Sequence, residues 1–201
     1  MIFRNLQTVC FNSLYIFLKI LEKISKRFIT LRFKEFLEKK SYINKTIFNK
    51  KISFFTPNEL IRWRVDTILD KEPETIQWIN NFNNKCIFWD IEANIGLYSI
   101  YASQNKKNIK VYSFEPSTSN LRTLSRNISI NKLQNKIFII PFALSNLRNK
   151  ILQLKEKQFI EGGALNAFGV NYDFSGKNFF FENSYNTFGT SLDNLIEKKI
   201  L

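Results

Sequence analysis

Two acidic side chains stand where an acid can serve a nucleotide. The apolar run Cys86 to Trp89 leads into Asp90-Ile91-Glu92-Ala93-Asn94-Ile95-Gly96. Glu115 closes the next run, Lys110 to Phe114, 19 residues after Gly96. A tight turn from strand to helix brings backbone N–H groups and a helix N-terminus up to a ligand. An acid at the end of the first strand can orient a cationic or hydroxyl-bearing ligand. An acid at the end of the second can accept both hydroxyls of a ribose. Either feature alone is common in α/β proteins. On successive strand ends they point to a nucleoside-bearing cofactor.

The composition removes other chemistry. Among 201 residues there is no histidine, so there is no Ser-His-Asp or Cys-His nucleophile, no imidazole base and no His-ligated metal. Cys10 and Cys86 are too few for a Cys₄ zinc site or a disulfide framework, and no metal site is expected. A reducing compartment, hence the cytoplasm, is the default for such a protein.

The elements that must position the acids follow from periodicity. Cys86 to Trp89, Lys110 to Phe114 and Ile137 to Phe142 read as strands. The stretches from Leu97 to Ser103 and from Ser117 to Asn131 read as helices, the second capped by Ser117. This β-α-β-α-β order predicts parallel strands with right-handed crossovers, one half of a doubly wound sheet. Upstream, Glu59 to Leu69 is helix-like, and Pro73 opens a further helix that buries Ile76, Ile79 and Phe82. Downstream, Ile151 to Leu154 alternates as a strand, and Glu161 to Gly176 reads as a loop. Asn178 to Glu182 reads as a strand, with Phe179-Phe180-Phe181 buried in it, and Thr187 to Thr190 as a turn. Leu192 to Leu201 ends the sequence in a helix. Trp63 and Trp78 are read as packing residues.

The N-terminal segment is of another kind. Residues 1–51 carry 12 Lys/Arg and 3 Asp/Glu, whereas residues 52–201 carry 18 and 14, so the net charge of +13 is concentrated at the start. The body is mildly basic, which argues against a nucleic-acid partner. AT-rich codons for Lys, Asn, Ile and Phe are an equally good source of the basic balance. Phe3, Leu6, Cys10, Leu14, Phe17, Leu21, Ile24, Phe28 and Leu31 make one apolar stripe on a helix over residues 1–40. Its most apolar part is too short and too interrupted to span a bilayer, and it lacks the marks of a secretory signal. A basic amphipathic helix can lie on an anionic membrane surface, or pack against the domain or a partner subunit. Residues 41–58 read as a connector with a short strand, Ile52 to Phe55. The protein is thus expected to divide into an extension, residues 1–51, and a domain, residues 52–201.

The segment Phe88 to Ser99 resembles the cofactor motif of FkbM-family methyltransferases. Phe114-Glu115-Pro116 resembles the family's next motif, with Asn120, Asn127 and Asn131 on the following helix. Pro141-Phe142-Ala143-Leu144-Ser145, Lys71 to Thr75 with Trp78, and Thr190-Ser191-Leu192-Asp193 also match in order. The resemblance spans about residues 54–201. It implies a Rossmann-like class I methyltransferase fold that binds S-adenosylmethionine and transfers its methyl to a hydroxyl, on a sugar or a related small molecule. By position, Asp90, Asn94 and Gly96 would line the methionine and ribose end of the cofactor. Glu115 would bind the ribose hydroxyls, and Phe142 with Ala143 would sit near the adenine. Asn127 and Asn131, one helical turn apart, read as helix-surface and C-cap residues rather than as ligands. Gly162-Gly163 reads either as the shaper of a substrate loop or as plain surface.

Two departures bear on activity. Glu92 stands where the family has glycine, adding bulk and a negative charge near the cofactor's carboxylate. The acidic motif that the family carries on its next core strand does not follow before Leu201. The parallel sheet is therefore expected to be incomplete, truncated on its C-terminal side, and no catalytic base is named. The rival reading is a non-catalytic fragment acting at a membrane or partner surface through its basic N-terminal helix.

Overall fold

The N-terminal apolar stripe does not make one rod. In the computed structural model, which describes residues 2–173, 175–178 and 180–199 and the side chains from residue 5 onward, α1 (Ile2–Ser25) and α2 (Ile29–Lys40) are separate helices. The break falls at Lys26, whose φ of 51° is left-handed, a conformation that ends a right-handed helix. The Thr30 hydroxyl donates to the Glu22 carboxylate at 2.9 Å and ties the second helix back to the first. Apolar spacing runs through the break unchanged, which is why periodicity alone reads one helix. Phe3, at the head of the stripe, has its side chain outside the described residues.

By internal contact the protein divides into Met1–Tyr42 and Ile43–Leu201. After α2 comes a hairpin, not a connector: β1 (Tyr42–Ile47) and β2 (Lys50–Phe55) are joined by Phe48 and Asn49. Both joining residues have positive φ, 44° and 64°, as a two-residue turn matched to strand twist requires. Phenylalanine is an unusual choice there, so the turn lacks its customary Asn-Gly signal.

Two short helices follow, α3 (Glu59–Asp66) and α4 (Pro73–Asn80). Asn58 caps α3 by accepting the Ile61 N–H at 2.9 Å, and Pro73 occupies the first turn of α4. The predicted alternation then appears: β3 (Lys85–Ile91), α5 (Leu97–Asn105), β4 (Asn108–Phe114), α6 (Thr118–Ile130) and β5 (Ile137–Ile140). The three strands form one parallel sheet in the order β3-β4-β5, with Ile91, Phe114 and Ile140 in register at its carboxyl edge. The fold class is α/β, with a Rossmann-like parallel half-sheet. Its core is continuous with the hairpin and α3: Ile52, Phe54, Ile61, Val65, Ile100 and Val111 are all buried in one cluster. Burial of such side chains, each about 1.5–3 kcal/mol, is the main force holding the acids at the sheet edge.

A second sheet is built from β6 (Ala143–Leu144), β7 (Lys150–Glu156), β8 (Ala167–Phe168) and β9 (Asn183–Thr190), in the order β6-β9-β7-β8. Here sequence and structure differ. Thr187 to Thr190 is not a turn but the end of β9, paired antiparallel with β7 from Lys150↔Gly189 to Glu156↔Asn183. Gly189 belongs in this strand because the Phe168 ring packs on it; a Cβ there would lie 2.3 Å from Phe168 Cε1. Among the described residues of Asn178 to Glu182 none belongs to a named strand, and Tyr172↔Asn178 is an isolated bridge. Phe180 is 87% exposed and Phe181 is exposed too, so neither is buried in a strand; Phe179 lies outside the described residues. α7 (Leu192–Glu197) is capped by Ser191, which accepts from the Asn194 N–H. Trp78 packs edge-on against Phe82 and Phe88, and both it and Trp63 on α3 remain about half exposed.

Candidate functional site

The carboxyl edge of the parallel sheet is where β3 and β4 give way to their loops, and hydrogen bonding holds the two exits together. The Ala93 N–H donates to the Phe114 carbonyl at 2.9 Å, and the Asn94 N–H donates to Glu115 Oε2 at 2.8 Å. Glu115 Oε1 accepts the Ser117 N–H at 2.8 Å. Glu115 is 3% exposed. Burial pushes its carboxyl up to about 7, against the pull of the Ser117 and Asn94 N–H groups and the Asn120 amide. The nearby charge of Glu92 pushes in the same upward direction.

The turn between β3 and α5 is bent through the left-handed region at Glu92 (φ 60°), Asn94 (φ 51°) and Gly96 (φ 82°). Asparagine tolerates that region and glycine is indifferent to it; glutamate is strained there by about 1–2 kcal/mol. Gly96 is required on a second ground: a Cβ would meet Leu124 Cδ1 at 2.4 Å. Asp90, at the end of β3, is also buried. It accepts the Ser99 N–H at 3.0 Å and the Ser99 hydroxyl, which in turn pairs with the Ser113 hydroxyl at 2.6 Å. Burial raises Asp90 to about 6, against the two bonds from Ser99.

A loop after β7 crosses these strand ends. Gly162 and Gly163 are buried in it, held by side chains from three other segments. The Asn94 amide donates to the Gly163 carbonyl at 2.7 Å, and the Asn120 amide donates to the same oxygen at 3.0 Å. Asn120 Oδ1 accepts the Gly162 N–H at 2.8 Å, and Arg64 Nε donates to the Gly162 carbonyl at 2.8 Å. The Asn58 amide holds the Glu161 carbonyl at 2.9 Å, and Arg122 pairs with the Glu161 carboxylate. The two-glycine step is therefore a strap over the site and not plain surface.

The strap divides the cleft. A cavity of about 220 Å³ lies on the Glu115 side, with Phe142, Ala143 and Asn166 in its wall. A cavity of about 530 Å³ lies on the other side, lined by Asp90, Trp89, Tyr98, Arg64 and Glu72. Ile91, Glu92, Asn94, Ala164 and Leu165 line both. Of the residues singled out in the sequence, Asn94, Glu115, Phe142 and Ala143 thus meet in the first cavity, and Asp90 faces the second. Gly96 lines neither; it starts α5 and packs on Leu124.

The structure also brings in residues that sequence reasoning passes over. Arg64 and Asn58 come from α3 and its cap, 98 and 103 residues before the strap they hold; linear spacing gives no sign of that meeting. Asn127 is not a helix-surface residue. It is fully buried, accepts the Phe55 N–H at 2.7 Å and donates to the Ile95 carbonyl at 2.9 Å. Asn131 does cap α6, and it also clasps Ser53 through both its N–H and its carbonyl, at 3.0 and 2.7 Å. The two amides fasten β2 and the β3–α5 turn to α6.

No family model matches this sequence, and no curated protein does. Solved structures match over part of it. The TYW2 of M. jannaschii in complex with AdoMet is 20% identical, over 50% of this chain and 43% of that one, with a TM-score of 0.36. The Trm5 of Methanocaldococcus jannaschii in complex with adenosine is 18% identical, over 54% and 32%, with a TM-score of 0.36. The precorrin-6y C5,15-methyltransferase of Geobacter metallireducens is 18% identical, over 35% and 36%, with a TM-score of 0.32. The aligned regions span between 32% and 43% of those three proteins.

Proposed function

We propose that the cleft binds S-adenosylmethionine and that the protein is a methyltransferase of the FkbM type, acting on a hydroxyl of a sugar or related small molecule. The observation that carries the reading is the placement of Glu115: a buried carboxylate at the end of the second parallel strand, lining a cavity that shares Asn94 and Leu165 with a second one.

The donor set fits such a cofactor. Beyond the Asn94 and Ser117 N–H groups and the Asn120 amide, Glu115 retains the lone-pair capacity to accept a ribose hydroxyl. Phe142 and Ala143 offer an apolar wall to a base, and Asn166 Oδ1, buried in the same wall, has no partner among the described residues. A buried acceptor without a partner costs about 1–3 kcal/mol unless a ligand or water supplies the donor. When bound, the cofactor supplies a methyl group on a sulfonium, which an acceptor oxygen takes by in-line displacement. The protein's part is then positioning and exclusion of water: the strap covers the strand ends, and Asn94 and Asn120 fix the strap. Calorimetric titration of the purified protein with S-adenosylhomocysteine tests the reading; no binding at millimolar ligand overturns it.

A second reading concerns residues 1–40, and the exposure of the helices favours it. Leu6, Phe11, Ile16, Phe17, Ile24 and Phe28 are all more than half exposed, and α2 buries none of its residues. Nine Lys/Arg stand against three Asp/Glu in this stretch. We infer that it lies on an anionic membrane surface, apolar side chains in the acyl boundary and lysines at the headgroups. Among the described residues no helix is long and apolar enough to cross a membrane.

A further inference from the structure

The larger cavity is lined by more acids than bases. Glu72, Asp90 and Glu92 face it, with Arg64 and Lys71 as the basic groups. Lys71 is neutralised by its neighbour, Nζ to Glu72 Oε1 at 3.0 Å. Arg64 is different. Its side chain, half-buried, makes a single hydrogen bond among the described residues, from Nε to the Gly162 carbonyl, and no ion pair. Burial lowers its pKa, opposed by the charges of Glu72, Tyr98 and Glu115, yet a guanidinium stays protonated at any physiological pH.

That single bond has a geometric result. With Nε bonded to Gly162, the plane of the guanidinium is set, and the two terminal nitrogens remain as a fork of donors. Such a fork matches a carboxylate with two parallel bonds. A second donor lines the same cavity: the Trp89 indole N–H is buried and has no partner among the described residues. These donors, beside the acids Asp90 and Glu72, make a site for a group that carries both signs of charge.

We propose that Arg64 binds the α-carboxylate of an amino-acid moiety, with Asp90 and Glu72 on the side of its ammonium group. This rests on the reading of the cleft as an S-adenosylmethionine site. A ligand whose nucleoside lies against Glu115 and Phe142 continues past Asn94 and Leu165 into the cavity that Arg64 lines. Arg64 then has two duties: Nε keeps the strap in place, and the terminal nitrogens select ligands with a free carboxylate.

The experiment compares three thioether nucleosides by calorimetry on the full-length protein: S-adenosylhomocysteine, its decarboxylated analogue, and 5′-methylthioadenosine, which lacks the amino acid altogether. In the wild type, S-adenosylhomocysteine binds about 10- to 100-fold tighter than the decarboxylated analogue, as expected for hydrogen bonds to a charged group. This comparison needs no variant. Arg64→Ala abolishes that preference and weakens S-adenosylhomocysteine far more than 5′-methylthioadenosine, whose loss reads only the loosened strap; Arg64→Lys, which keeps the charge without the fork, retains part of the preference. Equal wild-type affinity for the first two ligands overturns the proposal. So does an equal loss of all three in Arg64→Ala, which would give Arg64 only the duty of holding the strap. Wild-type protein that binds none of the three overturns the cofactor reading itself, a distinct outcome.

Discussion

The backbone N–H of Asn94 rests on the carboxylate of Glu115 at 2.8 Å, so the acid that faces the cleft is also the clasp between two strand exits. A clasp and a ligand group titrate together. Bound hydroxyls donate to the ionised carboxylate, and burial holds that carboxyl at about 7. Nucleoside affinity should therefore rise as pH goes from about 6 to about 8 and then level. Glu115→Ala should weaken S-adenosylhomocysteine by about 1–3 kcal/mol and flatten its pH profile. Calorimetry across that range reads both effects; an unchanged affinity removes Glu115 from the site.

Glu92 carries a backbone cost that glycine would not. At φ 60°, replacement by glycine should stabilise the fold by about 1 kcal/mol, the strain of a left-handed residue less glycine's extra unfolded-state entropy. It also removes a charge that lines both cavities. Urea denaturation measures the first effect and S-adenosylhomocysteine titration the second; both should move upward. A Glu92→Gly protein that is less stable and binds more weakly would mean that Glu92 makes contacts stronger than its strain.

Asp90 and Glu115 together set a pH dependence of folding. Each has a native pKa above its ordinary value, about 6 against 3.8 and about 7 against 4.5. The native state therefore holds these protons more tightly than the unfolded state does. Their contribution is complete below about pH 4 and is lost as pH rises through about 6 and then 7, on the order of 1–3 kcal/mol for each group. Denaturation midpoints followed from acid to neutral pH should show the decline from these two groups, superposed on the other carboxylates. Asp90→Asn should remove the portion centred on the lower range while leaving the upper one.

How much of this is legible in the sequence depends on range. The parallel half-sheet and the acids at its edge follow from local signals: apolar runs of strand length, helical spacing, an acid after each run. Gly189 misleads because a glycine beside threonines reads as a turn, while its role is set by the Phe168 ring, 21 positions away. The strap is hidden for the same reason. Asn58, Arg64, Asn94 and Asn120 converge on residues 161–163, and no local pattern announces a convergence. Asn127 reads as surface because a polar residue on a helix commonly is; here its partners are main-chain groups of two other segments.

The N-terminal helices predict weak, salt-sensitive vesicle binding. Sedimentation with phosphatidylserine-containing vesicles should carry down the full-length protein at low salt and less of it at high salt. Phe11→Asp with Phe17→Asp, both at exposed positions, should abolish it without altering nucleoside affinity. Sedimentation unaffected by the pair of substitutions would argue that the helices meet something other than lipid.

Asn127 and Asn131 sit one helical turn apart and together present to β2 what a neighbouring strand would: an acceptor for the N–H of Phe55, and both an acceptor and a donor for Ser53. These main-chain groups lie two residues apart, hence on one side of the strand. An open strand side is a template for any passing polypeptide, including another copy of the same protein. A helix that imitates a strand closes the template without offering a new one, since its own backbone is already bonded internally. The pair of asparagines therefore leaves no open ladder at Ser53 and Phe55, besides fastening the strand.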